Sequence, residues 1–145
     1  MQRRKRVPRP LRIPMLIKSN NALHQIDSIL AQIDNHGTLN VDERGVAVYF
    51  NHMDGQTYET APALRGVRDF FEMWSVRHGQ ALQLAALEQF IEQVDQVRPI
   101  SDADISAMQV QLAVLRCVAS RMSPADAADL VRQTQVKEAM EVLQA

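Results

Sequence analysis

This sequence predicts a mostly helical α+β domain. About five helices surround a central buried helix near 102–122, and a small three-stranded antiparallel β-meander occupies about 38–60. Three observations carry the prediction. Apolar residues recur at helical spacing in several separate segments. One short stretch instead alternates β-branched and aromatic residues between two Gly-containing turns. The segment after Ser101 is apolar around most of its circumference, the mark of a helix with no solvent side. With 145 residues, 46% of them hydrophobic, the chain is long enough to bury a core as one domain. One Cys, five Gly and six Pro exclude a disulfide scaffold and a collagen-like or low-complexity chain.

Residues 1–18 read as an extended arm, because Pro8, Pro10 and Pro14 forbid a helix and remove ladder donors. The folded domain is expected over 19–145. Leu23, Ile26, Ile29, Leu30 and Ile33 give its first helix an apolar face, with Asp27, Gln32 and Asp34 on the other side and Gly37 as a left-handed stop. The meander follows as Leu39-Asn40-Val41, Val46 to Phe50, and Thr57 to Thr60, with turns at Asp42-Glu43-Arg44-Gly45 and His52-Met53-Asp54-Gly55. A lone meander is marginal in water, so one of its faces should pack on helices.

Beyond Pro62 everything reads as helix. Over 63–78, Leu64, Val67, Phe70, Phe71 and Trp74 share one side, and Arg65, Arg68, Asp69 and Glu72 the other. Over 83–97, Leu84, Leu87, Phe90, Ile91, Val94 and Val97 form the apolar face, flanked by Glu88, Glu92 and Asp95. Ser101 with Asp104 makes a capping box for the central helix, in which Cys117 is expected to be a small core hydrophobe. Ser123-Pro124 starts a last helix with a diffuse pattern. Leu130, Val131 and Val142 point one way, and Val136, Met140 and Leu143 another. The helix therefore fits between two surfaces, carries a partner-binding face on its second half, or frays at its end.

Catalytic chemistry finds little foothold. The four His residues are scattered, and His52 with Asp54 supplies two metal ligands and no third, so no metal is expected. The isolated glycines at 37, 45, 55, 66 and 79 make no phosphate-binding loop, and no nucleophile elbow or cofactor motif occurs. A non-enzymatic protein without cofactors is expected. A single Cys, no long apolar run and no signal-peptide pattern predict a cytoplasmic protein with no membrane contact.

The functional clue lies in charge placement. Net charge is −1, yet residues 1–26 hold Arg3, Arg4, Lys5, Arg6, Arg9, Arg12 and Lys18 and no acid. From Asp27 onward there are 9 basic and 17 acidic side chains, so the two parts carry +7 and −8. A proline-pinned guanidinium-rich arm suits phosphate contacts and narrow minor grooves. Nucleic acid or a ribonucleoprotein is therefore the expected partner of those seven residues. The alternative is a host protein bound on the acidic flank Glu88, Glu92 and Asp95.

The Arg/Lys-Pro start from Arg3 to Pro14 and the turns Asp42-Glu43-Arg44-Gly45 and Met53-Asp54-Gly55 also carry a resemblance. So do the run Ala61-Pro62-Ala63-Leu64-Arg65-Gly66, Trp74 and the helical remainder. Over nearly its whole length the chain resembles small accessory proteins encoded in phage and prophage regions of proteobacterial genomes, sometimes labelled Fis-family regulators. The resemblance implies a mobile-element role in regulation, genome handling or interference with host machinery, and it transfers no active residues.

Overall fold

A computed structural model of the protein describes residues 21–144. The arm predicted for 1–18, and with it Arg3, Arg4, Lys5, Arg6, Arg9, Arg12 and Lys18, lies outside the described residues. In order, the elements are α1 (Asn21–His36), β1 (Val48–Asn51), β2 (Gln56–Glu59), α2 (Thr60–His78), α3 (Ala85–Asp95), α4 (Asp102–Ala119) and α5 (Pro124–Gln144). The predominance of helix expected from periodicity is present.

Helix α1 buries Leu23, Ile26, Ile29, Leu30 and Ile33, the five residues that its spacing placed on one face. It stops at Gly37, whose φ of 74° is the left-handed conformation that glycine adopts without steric cost. Strands β1 and β2 pair antiparallel with Tyr49 opposite Tyr58 and Asn51 opposite Gln56. Both tyrosines turn inward to the core. The connecting turn holds its shape through side chains: Asn51 Oδ1 accepts the Met53 N–H at 2.8 Å, and Asp54 Oδ1 accepts that of Gln56 at 3.0 Å.

The expected three-stranded meander is a two-stranded hairpin among the described residues. Residues 39–41 contribute only the isolated bridge Val41–Ala47 and a hydrogen bond from Val48 N–H to Asn40 O. The reason is a competitor for the same edge. Gln32 on α1 donates from Nε2 to Phe50 O at 2.8 Å and accepts the Phe50 N–H on Oε1 at 3.0 Å. One amide side chain thus pairs both backbone groups that a third strand would have paired there.

The expected central helix is also corrected. Helix α2 touches α1, α3, α5 and both strands, whereas α4 packs on α3 and α1. Only Met108, Gln111, Leu112, Leu115 and Val118 of α4 are buried. Val110 is 68% exposed, Val114 is 41% exposed, and Cys117 is exposed rather than in the core. A helix on the outside of a layer has one side to bury, however apolar the rest of its surface. Helix α2, with neighbours on two sides, buries Leu64, Val67, Phe70, Phe71 and Trp74, and Asp69 as well.

Helix ends follow local chemistry. The Ser101–Asp104 capping box is formed in both directions, with Ser101 Oγ accepting the Asp104 N–H at 3.1 Å and Asp104 Oδ2 accepting the Ser101 N–H at 2.8 Å. Ser123 Oγ accepts the Asp126 N–H at 3.1 Å at the start of α5. Helix α3 has no side-chain cap of its own. Buried Gln111 of α4 reaches over instead, accepting the Leu87 N–H at 3.3 Å and donating to Gln83 O at 2.9 Å.

Candidate interaction faces

All but one of the cations of the folded body are paired with carboxylates. Arg65 pairs with Asp95 at 3.0 Å, Arg116 with Asp27, and Arg44 with Asp42 and Glu59. Arg98 lies 3.8 Å from Glu92, and Arg132 lies 3.1 Å from Asp129. Arg77 at the end of α2 bridges to Asp126 at 2.6 Å and Asp129 at 2.5 Å on α5, and His78 adds a contact to Asp126 at 2.9 Å. The hydrogen bonds from Arg77 and then His78 hold the Asp126 carboxyl below its ordinary range. With Arg68 and Lys137 on Asp69, eight of the nine basic side chains beyond residue 26 have a carboxylate partner. Arg121 is the ninth, and its guanidinium contacts Cys117 Sγ at 3.4 Å.

Glu88, Glu92 and Asp95 are all exposed on α3. They do not form a bare acidic row. Asp95 meets Arg65, Glu92 meets Arg98, and Glu88 acts electrostatically on Arg68. Interleaved signs weaken the field that such a row would project toward a basic partner.

An unforeseen polar cluster lies where α5 crosses α2. Asp69, assigned by pattern to the solvent side, is 2% exposed because α5 covers that side. Arg68 approaches it at 3.0 Å and Lys137 at 3.3 Å. Glu138 is half-buried beside it, and its Oε1 is enclosed without a hydrogen-bond partner among the described residues. Burial, with the negative charge of Asp69 adding to it, pushes the Glu138 carboxyl up to about 7. The available signal was indirect. The diffuse pattern of α5 meant that some of its contacts would be polar, and α2 offered Arg68 and Asp69 on its non-core side.

The second half of α5 presents Val136, Met140 and Leu143, which are 62%, 51% and 81% exposed, on the side away from α2. Of the His52–Asp54 pair, Asp54 accepts the Gln56 N–H and the Tyr58 hydroxyl. No three His, Cys, Asp or Glu side chains converge as metal ligands among the described residues. No helix among them is long and apolar enough to cross a membrane. No family model, no curated protein and no solved structure matches the chain.

Proposed function

We propose that the protein is a non-enzymatic accessory protein, of the mobile-element kind, that binds nucleic acid or a nucleoprotein. Its contacts are Arg3, Arg4, Lys5, Arg6, Arg9, Arg12 and Lys18. The observation that carries this reading is the division of cationic labour. The body is acidic and eight of its nine basic side chains are already paired, while the first 26 residues hold seven basic groups and no acid. A polyanion approaching this molecule gains most at the arm. Engagement of about six phosphates gives a log–log salt slope of roughly −5 on duplex DNA.

The test compares the wild type with a full-length variant carrying Gln at all seven positions, on generic duplex DNA and duplex RNA over a salt series. Loss of most of the affinity and of the slope is expected. Equal binding by the two proteins would refute the reading. The host-protein alternative draws less support, because Arg65, Arg68 and Arg98 sit among Glu88, Glu92 and Asp95. Charge reversal of those three acids abolishes partner binding under that alternative and spares it under the arm reading.

A further inference from the structure

Among the described residues nothing covers the outer face of α4, and its chemistry is that of an interface. Residues 105–115 hold no charged side chain, although half of that stretch faces away from the core. Ala103, Ala107, Val110, Val114 and Cys117 follow one another at alternating spacings of four and three. This is the seam of a helix pair, about 21 Å long at 1.5 Å per residue. Each of these residues is exposed. The side chains are compact enough for a second helix to approach closely.

Charge at the two ends identifies what the seam fits. Arg121 continues the same spacing at the C-terminal end, and it is the body cation without a carboxylate partner among the described residues. Asp102 stands exposed at the N-terminal end, also with no ion-pair partner among them. A helix carrying an unpaired acid at its start and an unpaired base at its finish complements its own antiparallel copy. Two-fold symmetry forms the ion pair twice.

We propose that α4 is the interface of an antiparallel homodimer, in which its outer face packs on the same face of a second copy. The spacing fixes the register. Val110 lies opposite Val114 of the other protomer, Ala107 opposite Cys117, and Ala103 opposite Arg121, which brings that guanidinium beside Asp102. Helix dipoles oppose in this arrangement, which favours it further. Because the seam spans only four turns, the buried area falls at the low end for stable dimers, so association in the micromolar range is expected.

Sedimentation equilibrium on the full chain at about 50 µM is the first measurement, a concentration above a micromolar dissociation constant. A mass near twice 16.4 kDa is expected. Val110→Glu should give a monomer with unchanged circular dichroism. Arg121→Asp should weaken association about tenfold, and adding Asp102→Arg should restore it, as the swapped pair regains opposite signs. Ala107→Cys should yield a disulfide-linked dimer with native Cys117 under mild oxidation, and the wild type should yield none. A monomeric wild type overturns the proposal, as does a dimer indifferent to Val110→Glu. Cross-linking of the wild type through Cys117 alone overturns the antiparallel register and the ion pairs built on it.

Discussion

Helices α2 and α4 invert what their compositions imply. Helix α4 has no charged residue between Asp104 and Arg116, yet leaves Val110, Val114 and Cys117 in solvent. Helix α2 carries Arg65, Arg68, Asp69, Glu72 and Arg77, yet is covered from two sides. Hydropathy records what a helix is able to bury, whereas the number of its neighbours decides what it does bury. The surplus appears as opposite kinds of surface: an uncovered apolar seam on α4, and an ionic one on α2 where Asp69 is covered by Lys137 and Glu138 of α5.

The sharpest way to break this contrast is to truncate one side chain on each helix. Phe71 of α2 is 1% exposed and packs edge-to-face on Phe70 with ring centroids 5.2 Å apart. Phe71→Ala should cost about 3–5 kcal/mol of unfolding free energy, the range for removing a buried aromatic ring. Val110→Ala, measured by urea denaturation at a concentration low enough to keep the chain monomeric, should change it by no more than about 0.5 kcal/mol. Comparable losses at the two sites would mean that α4 is covered within the chain, and would restore it as a core helix.

A smaller effect is expected at Gln111, the buried polar residue of α4. Its amide bonds the Leu87 N–H and the Gln83 carbonyl, so Gln111→Ala strips the start of α3 of its only side-chain partner among the described residues. About 1–2 kcal/mol should be lost, the cost of leaving such backbone groups unsatisfied. Hydrogen exchange at the first amides of α3 should accelerate more than exchange elsewhere. Uniform acceleration would show that Gln111 stabilises the whole core through packing and not through that cap.

These residues mark where the sequence was legible. Faces built from large apolar side chains at helical spacing, such as Leu23 to Ile33 and Leu84 to Val94, were readable because burial of that much apolar area dominates local choices. Turn and cap chemistry was readable at Ser101–Asp104, Ser123–Pro124 and Gly37 because each acts within a few residues. The amide side chains of Gln32 and Gln111 act across 18 and 24 positions, and no local pattern encodes such a reach. Gln32 takes the edge that a third strand was expected to occupy. Asp69 was misplaced because its cover comes from α5, whose own pattern is too polar to announce a packed face. The candidate binding residues divide the same way. The α3 flank was found where the periodicity put it, but its cationic neighbours on α2 and after α3 were invisible until the elements were assembled.

The ionic side of the contrast responds to pH. Glu138 titrates near 7 in the folded chain against an ordinary value of 4.5. Between those values the folded protein holds a proton that the unfolded chain has released, so stability from this group falls as pH rises from about 4.5 to 7 and is flat above. The groups facing it are Asp69 on α2 and Lys137 and Glu141 on α5 itself. Asp42, Asp104, Asp126 and Asp129 act in the other sense. Hydrogen bonds hold them below 3.8, so their contribution is present above that pH and is lost as pH falls through their lowered values. Stability from these five groups therefore peaks between the two ranges. Glu138→Gln should flatten the upper limb and leave the acid limb in place, read as denaturation midpoints at pH 3, 5 and 8. A wild-type fall between pH 5 and 8 that survives in the variant would exclude Glu138 as its source.

The smallest effect lies at two helix ends built to one plan. After α2, Gly79 adopts φ 61°, its N–H bonds Val76 O, and the Gln80 N–H bonds Ser75 O. After α3, Val97 adopts φ 53°, its N–H bonds Val94 O, and the Arg98 N–H bonds Gln93 O. The hydrogen bonds match, but at 97 a β-branched side chain occupies a left-handed conformation that costs about 1–3 kcal/mol for such a residue. Val97 recovers little of this by packing, since it is 41% exposed instead of completing the apolar face of α3. Val97→Gly removes the strain and gives back about 0.5–1 kcal/mol through the freer unfolded chain. A net gain of about 1 kcal/mol is expected, seen as a higher urea midpoint with an unchanged slope. Gly79→Val should lose stability by a similar mechanism. A loss in both variants would mean that the Val97 side chain supports the end of α3 by contacts worth more than the strain it stores.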